Sequence, residues 1–447
     1  MKKNNKLIKL RTVKDSMGEI KVPFDSLYGA QTQRAVDNFP ISNIKFNQNF
    51  IYSVVIIKRS AAITNFNLGL LNKIKKNAII KSCDEILSGK YSNQFPVDIF
   101  QTGSGTSTNM NVNEVIANIS NKSIKSKINK IHPNDHVNMG QSSNDVIPTA
   151  IHISSLLLVE NKLLPSLKGM EKTLVKKQND FKDIFKIGRT HLQDATPMTL
   201  AQEFSGYKKL ISKNIQRINS SKISLNKLAQ GGTAVGTGIN THKDFGKKIA
   251  NEISKYTKIK FIKTDNHFEA QSCQDSIVSF SSDLKTLSVA LSKIANDIRW
   301  LSSGPRAGIG EIILPSVQPG SSIMPGKTNP VICESMLQVC AQVIANDTAI
   351  TLGGLGSVFE LNLMLPLIAN NILFSLTILS NSIKNFNKKL LVGLKADSMK
   401  CEGYIEGSLA MCTALVPEIG YDKAAEIAYE AYNSNKTIRK IVKEKNI

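Results

Sequence analysis

The sequence predicts an all-α protein built from long packed helices, and three observations support this. One apolar series has alternating spacings of three and four residues, a heptad pattern; its members are Leu284, Leu287, Leu291, Ile294, Ile298 and Leu301. A second stripe runs from Leu365 to Phe386 at helical spacing. Aromatic residues make up only 6% of the chain. Several long helices with narrow apolar seams imply a helix bundle.

The size and charge of the chain limit the classes of function that it could have. Its 447 residues are 41% apolar, which suffices for a large core and more than one domain. The formal net charge of +22 raises a nucleic-acid-binding helical scaffold as an alternative. However, the lysines are scattered without interleaved aromatic residues, which indicates a solvated surface. A positive field would also attract a small dianion.

Cysteine usage and hydropathy indicate the compartment. The six cysteines form neither a CxxC pair nor a Cys/His cluster, so no metal or iron–sulfur site is predicted. The first eleven residues lack the apolar core of a signal segment, and no apolar run reaches the roughly 18 residues of a membrane span. We therefore expect reduced thiols in the cytoplasm, with no membrane or nucleic-acid partner.

Two stretches offer hydroxyls, amides and glycines with little negative charge. In 100–115, Gly103 and Gly105 allow close backbone approach, and polar side chains follow at Ser104, Thr106, Thr108, Asn109 and Asn111. The helix expected from there could hold a carboxylate at its amides, or these residues could only cap it. Ser142-Ser143-Asn144 repeats this chemistry. Pro133 separates His132 from His136, so hydrogen bonding is favoured over a metal pair.

Two further stretches add titratable groups and glycines. His191 stands among Thr190, Gln193 and Asp194, which could orient it for proton transfer, although a lone histidine is usually structural. The glycine-rich run 231–242 lacks the Gly-Lys-Ser/Thr ending of a phosphate loop. We interpret it as a tight connection packed close to the same site.

The segment 318–330 is the strongest single signal. It reads Gln318-Pro-Gly-Ser-Ser-Ile-Met-Pro-Gly-Lys-Thr-Asn-Pro330 and has no helical or strand period. Its prolines and glycines predict a shaped loop. Its hydroxyl pair, ammonium and carboxamide suit an anionic ligand, and one hydroxyl could move a proton. We call it the signature loop below.

Gly320-Ser-Ser-Ile-Met-Pro-Gly-Lys-Thr-Asn329 resembles the signature of the fumarase/aspartase superfamily. Tyr28-Gly-Ala-Gln-Thr-Gln-Arg-Ala35 and Ile419-Gly-Tyr-Asp-Lys-Ala-Ala-Glu-Ile-Ala428 resemble its N-terminal and C-terminal motifs. The closest resemblance is to class II fumarate hydratases. His191 and Gly326 favour them over aspartases, which tend to carry Gln and Ala there. Thr328, where many fumarases have Val, departs from the pattern.

The resemblance implies an all-α, three-domain fold that forms a homotetramer with sites shared between subunits. The implied domains are 1–141, 142–399 and 400–447, the last shortened because the chain stops at Ile447. The implied activity is the hydration of fumarate to (S)-malate, a step of the tricarboxylic acid cycle, without cofactor or metal. Aspartate ammonia-lyase, or another lyase such as argininosuccinate lyase, is the alternative within the superfamily.

The resemblance also implies residue roles. Ser321 would be the base, and Lys327 and Asn329 would stabilise an aci-carboxylate. His191, oriented by Glu334, would serve the hydroxyl through a water. The implied substrate contacts are Ser104, Gly105, Thr106, Ser142, Ser143, Asn144, Thr190 and Ser322. A second carboxylate site would comprise His132, Asn134 and Asp135.

Overall fold

A computed structural model describes residues 9–447, so the expectation for the extreme N-terminus concerns mainly residues outside the described part. The chain is mostly helical, which confirms the predicted class. The α-helices are α1 (Ala30–Asn38), α2 (Gln48–Asn67), α3 (Lys73–Leu87), α4 (Thr106–Ser123), α5 (Ser143–Leu158), α6 (Leu164–Asp180), α7 (Leu200–Ser221), α8 (Phe245–Thr257), α9 (His267–Ser272), α10 (Asp275–Leu301), α11 (Val331–Gly354), α12 (Leu365–Phe386), α13 (Ser398–Gly407), α14 (Val416–Ile419), α15 (Tyr421–Ser434) and α16 (Ile438–Glu444).

The strands form only two-stranded pairs. They are β1 (Leu10–Asp15) with β2 (Gly18–Pro23), β3 (Phe185–Thr190) with β4 (Gln193–Thr199), β5 (Lys227–Leu228) with β6 (Ile262–Lys263), β7 (Ile312–Ile313) with β10 (Lys395–Ala396), and β8 (Ser357–Val358) with β9 (Leu361–Asn362). The pair β5–β6 is parallel and the others are antiparallel. The sequence did not indicate the hairpins β1–β2 and β3–β4.

The predicted apolar seams are buried. The residues of the heptad series on α10 are between 0% and 5% exposed, and those of the α12 stripe at most 1%. A π-helical turn, Val159–Leu163, separates α5 from α6, and Pro165 is the second residue of α6. A new helical segment therefore begins around Pro165, because a proline is tolerated in the first turn of a helix but loses a hydrogen bond in the interior.

The chain divides into two compact units. The first comprises the chain up to Leu163, Ile218–Lys285 and Val343–Thr377. Within it, α2 packs against α3, α4, α5 and α8. The buried carboxylate of Glu114 on α4 accepts hydrogen bonds from the backbone amides of Gly29 (2.8 Å) and Thr32 (3.2 Å). The N-terminal motif 28–35 is therefore fixed at the start of α1.

The second unit comprises Leu164–Arg217, Thr286–Gln342 and Ile378–Ile447. Its β3–β4 hairpin packs against α13. At its C-terminal end, α15 and α16 enclose a small apolar core; its buried members are Cys412, Ala424, Ile427, Ala431, Ile438 and Ile441. The three-domain division remains a prediction.

One helical run differs from what we expected from the hydropathy of the sequence. Leu365–Leu391 is long and apolar enough to cross a membrane by length and composition alone, contrary to our expectation that no run reaches that length. Of its most apolar window, 56% is buried inside the protein. The core helix of a protein that never enters a membrane meets the same criteria, so this run is weak evidence for a span.

Candidate active site

A pocket of about 350 Å³ in the first unit is surrounded by three of the predicted stretches. Thr106 on α4 and Ser142 and Ser143 at the start of α5 line one part of it. Thr233, Ala234, Ile239 and Asn240 of the glycine-rich run line another. This confirms that the glycine-rich run lies close to the polar stretches. The wall carries hydroxyls and amides, and no carboxylate or ammonium group is among its lining residues.

Three hydroxyls form a continuous chain at this pocket. The Oγ of Ser104 lies 2.7 Å from Oγ1 of Thr106, which lies 2.6 Å from Oγ of Ser143. Gly105 precedes α4 with φ +71°, and a Cβ there would come within 2.9 Å of Ile147. A side chain at this position would therefore be both strained and crowded. The structure thus brings together residues that are 37 positions apart in sequence.

The remaining polar residues of 104–111 divide between pocket and scaffold. Asn109 lines the pocket and donates to Oδ1 of Asn138 at 3.2 Å. The hydroxyl of Thr108 instead donates to Gln101 (2.9 Å), and the amide of Asn111 donates to the carbonyl of Gln94 (3.0 Å). Thr108 and Asn111 are buried and use these side-chain groups for contacts within the chain.

The start of α5 is held by a capping box. The hydroxyl of Ser142 caps the helix, and the carboxylate of Asp145 accepts a hydrogen bond from the Ser142 amide at 3.0 Å. The side-chain amide of Asn144 donates to the carbonyl of Ala234 at 2.7 Å. Capping therefore occurs, but it leaves Ser143 at the pocket in the first turn, where helix amides favour an anion.

Asp145 ties the glycine-rich run to α5. Its Oδ2 accepts hydrogen bonds from the amides of Gly231 (3.2 Å) and Thr233 (3.0 Å). Complete burial raises the pKa of this carboxyl group to about 7, while the three amide donors and the charge of Lys58 act in the opposite direction. Two sides of the pocket are thus joined through one buried carboxyl group.

Lys58 lies beneath the same pocket. It is fully buried on α2, and its ammonium donates to Oδ1 of Asn138 (2.7 Å) and Oε1 of Gln141 (3.1 Å), both pocket residues. Burial lowers the pKa of Lys58 to about 7, and the nearby Asp145 opposes this shift. In its protonated form, Lys58 beneath a pocket lined by neutral donors favours an anionic ligand.

The predicted second carboxylate site lies on a separate π-helical turn, Pro133–Val137. The amide of Asp135 donates to Nδ1 of His132 at 3.2 Å, and the side chains of both residues are more than half exposed. Nε2 of His136 lies 2.7 Å from the ammonium of Lys75. Burial and the nearby ammonium of Lys75 lower the pKa of His136.

His191 stands at the tip of the β3–β4 hairpin. Thr190 pairs with Gln193, so His191 and Leu192 form a two-residue turn. Both have positive φ, +55° and +61°, as in the type I′ turns that connect twisted strands. Thr190 and His191 are exposed. The hairpin thus projects the imidazole away from its own scaffold.

The signature loop is closed by its own backbone. The amide of Gly320 donates to the carbonyl of Lys327 at 2.8 Å, and the side-chain amide of Asn329 donates to the carbonyl of Gly320 at 2.7 Å. A Cβ on Gly320 would lie 2.6 Å from the Lys327 carbonyl oxygen, so the closure requires glycine. Ser322 and Lys327 are exposed, whereas Ser321 and Asn329 are half-buried.

Ser321 has two amide neighbours inside this loop. Its Oγ accepts hydrogen bonds from the backbone N–H groups of Ile323 (3.2 Å) and Met324 (3.0 Å). Both donors would stabilise negative charge on that oxygen. The same geometry is also that of a serine capping a turn.

Comparisons with known proteins decide the family. Residues 18–345 match a family model described as "Lyase", and residues 411–447 match "Fumarase C C-terminus". A "Fumarate hydratase class II" from Wigglesworthia glossinidia brevipalpis is 52% identical over 96% of this chain and 93% of its own length. This chain belongs to the class II fumarate hydratase family.

Solved structures agree with this assignment. The class II fumarase from Schistosoma mansoni is 39% identical and superposes with a TM-score of 0.95, covering 98% of this chain and 96% of its own. A fumarate lyase:delta crystallin from Brucella melitensis, bound to cobalt, is 42% identical with a TM-score of 0.94 over 98% and 96%. The helical fold of class II fumarases is therefore that of this chain.

One predicted class II fumarase contact is not made within the single chain. Glu334 lies in the first turn of α11, and no hydrogen bond joins it to His191 among residues 9–447. The orientation of His191 by Glu334 therefore stays a prediction.

Sequence reasoning missed Lys58 and Asp145. A signal for Lys58 was present, since it follows the apolar run Val54-Val-Ile-Ile57, where a solvated lysine is unexpected. Asp145 follows Ser142 by three residues, the spacing of a capping box. Its bonds to the glycine-rich run could not be read from that local pattern.

Proposed function

We propose that this chain catalyses the reversible addition of water to fumarate to give (S)-malate, the fumarate hydratase step of the tricarboxylic acid cycle. The observation that carries the proposal is the pair of backbone amides on Ser321 Oγ, at 3.2 and 3.0 Å. A hydroxyl in water is far too weak a base for this reaction. Amide donors lower the cost of forming its alkoxide.

In the dehydration direction, the reaction has two bond-breaking steps. Ser321 removes the proton from the malate carbon adjacent to one carboxylate, and the C–H electron pair moves into that carboxylate to form an aci-carboxylate. The pair then returns to form the double bond as the C–O bond breaks. The departing hydroxyl takes a proton from a general acid and leaves as water.

Lys327 and Asn329 are proposed to stabilise the aci-carboxylate. Lys327 contributes full positive charge, and its exposed side chain is free to reach a ligand. Asn329 is held at the loop by its bond to Gly320. Because the charge gained in the intermediate is concentrated on oxygen, a cation and a fixed amide beside it stabilise that state more than the substrate.

The neutral pocket is proposed to bind substrate carboxylates. Ser104, Gly105 and Thr106 approach from the start of α4, and Ser142, Ser143 and Asn144 from the start of α5. Thr190 and Ser322 would add contacts from their exposed positions. Lys58 beneath the pocket favours the dianion when it is protonated. His132, Asn134 and Asp135 are proposed as a second, peripheral carboxylate site.

His191 is proposed to deliver the proton to the hydroxyl through a water, with Glu334 orienting it. We further propose that these groups meet across subunits of a homotetramer. Three long helices carry apolar side chains that the single chain leaves exposed: Val289 (58%) on α10, Leu352 (58%) on α11 and Phe374 (46%) on α12. Covering such surface favours association of copies of the chain. We place the enzyme in the cytoplasm.

Absorbance at the fumarate band tests the proposal. Purified protein with malate should produce fumarate, and with aspartate it should release no ammonia. His191 and Gly326, where aspartases tend to carry other residues, are the reason to expect this selectivity. Ammonia release at a rate comparable to malate turnover would instead establish an ammonia-lyase.

A further inference from the structure

Four charged side chains of the second unit form an alternating cluster below the His191 hairpin. Arg189 contacts Oε1 of Glu311 at 2.8 Å, and Lys186 contacts Oε2 of the same carboxylate at 3.3 Å. Lys186 also lies 3.0 Å from Glu203 on α7. We call Lys186, Arg189, Glu203 and Glu311 the buried ion cluster. Its charges sum to zero.

The cluster is more deeply buried than ion pairs usually are. The Glu311 side chain is 0% exposed and that of Lys186 is 2% exposed. Each oxygen of Glu311 faces one cation, so moving either cation away leaves one oxygen of a buried carboxylate without its counter-charge. The segments that carry these residues are therefore fixed relative to one another.

Those segments lead directly to two proposed catalytic elements. Lys186 and Arg189 lie on β3, which ends one residue before His191. Glu311 precedes β7, and the chain runs from β7 into the signature loop that carries Ser321. A shift of Glu311 would therefore displace the base of the hairpin and the start of the loop.

The backbone around Glu311 is anchored from the other side by α13. The carbonyl of Glu311 accepts a hydrogen bond from the Asp397 amide at 2.9 Å. The hydroxyl of Tyr404 donates to the carbonyl of Ile309 at 2.9 Å, and the Arg189 guanidinium lies 5.5 Å from the centre of the Tyr404 ring. The Glu311 carboxylate thus connects the hairpin to a backbone segment that Asp397 and Tyr404 hold in place.

Stability alone does not account for such a cluster. Replacing buried ion pairs by well-packed apolar residues of similar volume is often neutral or stabilising. What an ion cluster adds is directional fixation of the segments that carry it. We propose that Glu311 is a positioning residue that fixes the His191 hairpin and the start of the signature loop through Arg189 and Lys186. This inference rests on the proposed hydratase function.

The variant Glu311→Gln tests the inference by a split between kcat and KM. It keeps the side-chain shape and removes the charge that holds both cations. A displacement of catalytic groups should lower kcat about 10- to 100-fold, as misplacement on the order of 1 Å does. KM for malate should change less than about threefold, since Glu311 does not lie in the pocket.

Glu203→Gln is the matched control. It makes the same isosteric change, removes the same charge and loses a contact to the same Lys186, but Glu203 lies on α7 and is not joined to Arg189. We expect its kcat to stay within about threefold of wild type. Equal losses of kcat in both variants would mean that the cluster is only structural and would overturn the inference.

Arg189→Gln keeps the inference testable if Glu311→Gln fails to fold. It leaves the Glu311–Lys186 pair in place and should also lower kcat about 10-fold with KM little changed. In the Arg189→Gln/Glu311→Gln double variant, the two losses should be non-additive if both act through one contact. Wild-type kcat in either folded single variant would overturn the inference. An inactive wild-type protein would instead contradict the proposed function.

Discussion

The Oγ of Ser321 accepts a hydrogen bond from the backbone amide of Met324 at 3.0 Å, and a second from Ile323 at 3.2 Å. The loop that supplies these amides is closed by Gly320 and Asn329, so the donors are held in place before any ligand binds. Such preorganised donors need no rearrangement when charge develops on oxygen. Proton abstraction by Ser321, as proposed, depends on these two donors.

His191→Asn should lower kcat, because the proposed carrier of the hydroxyl proton is removed. Asn can still hydrogen-bond to a water, so we expect a loss nearer the lower end of the roughly 10²–10⁴-fold range of general acid–base catalysis. Stopped-flow or steady-state kinetics of malate dehydration measures it. Unchanged kcat across the pH range would remove His191 from the mechanism.

Asp145→Asn should destabilise the protein and raise KM for malate. Asn converts one acceptor oxygen into a donor, so at least one of the amides of Ser142, Gly231 and Thr233 is left unpaired, at a cost of about 1–3 kcal/mol. KM should rise more than kcat falls, because the glycine-rich side of the pocket loses its tie to α5. Urea unfolding and malate kinetics measure both effects.

The pH dependence of stability should differ between the wild type and Asp145→Asn. Burial raises the pKa of Asp145 to about 7, whereas in an unfolded chain the group ionises near pH 4. Between these values the folded state keeps a proton that the unfolded state has released, so stability falls as pH rises from about 4 to 7. We therefore compare the unfolding free energies of the two proteins at fixed protein concentration. The value for the wild type minus the value for Asp145→Asn should decrease across this window. If this difference in unfolding free energy rises or stays constant with pH, the raised pKa of Asp145 is contradicted.

The helical fold could be predicted because its signals are local. The spacing of the apolar residues at 284–301 and 365–386 predicts that they are buried, and both seams are buried as expected. The β3–β4 hairpin was not foreseen, because its turn consists of His191 and Leu192 instead of the Asn-Gly type of sequence that identifies a type I′ turn. Pairing with Gln193 imposes the positive φ angles there.

The candidate site could be predicted only where the residues occur in short motifs. The neutral polar stretches and the signature loop were found in this way. Lys58, Asp145 and Glu311 were missed because their partners lie far away in sequence, at Asn138, Thr233 and Arg189. Conversely, Thr108 and Asn111 have suitable chemistry but are turned toward Gln101 and Gln94. Side-chain direction is set by tertiary packing that a single sequence does not reveal.

Phe374→Glu tests the proposed homotetramer. Phe374 is 46% exposed on α12, and a charge buried in a subunit contact is strongly unfavourable. Light scattering should show a smaller particle, and activity should fall with it because the sites are proposed to be shared. Tyr429→Glu, at a 72% exposed aromatic residue on α15, is the control and should keep the wild-type mass. A wild-type protein that is monomeric and active at micromolar concentration would refute the assembly.

Chelation tests the expectation of a metal-independent reaction. No group of three or more His, Cys, Asp or Glu side chains suited to hold a metal ion occurs within residues 9–447. The proposed mechanism draws its positive charge from Lys327 and its base from Ser321. Activity should therefore survive EDTA and exposure to air. Activity lost to EDTA and restored by iron would contradict this expectation.

Ser321→Ala, compared with Thr328→Val, is the most direct test of the account. Removing the Ser321 hydroxyl should lower kcat for malate dehydration by roughly 10²–10⁴-fold with a much smaller change in KM, because proton abstraction is lost while the carboxylate contacts remain. Thr328→Val changes an exposed hydroxyl of the same loop and should keep near-wild-type kcat. Both variants should keep the wild-type mass. A Ser321→Ala protein with near-wild-type kcat would show that the hydroxyl only caps a turn, and would falsify its assignment as the base.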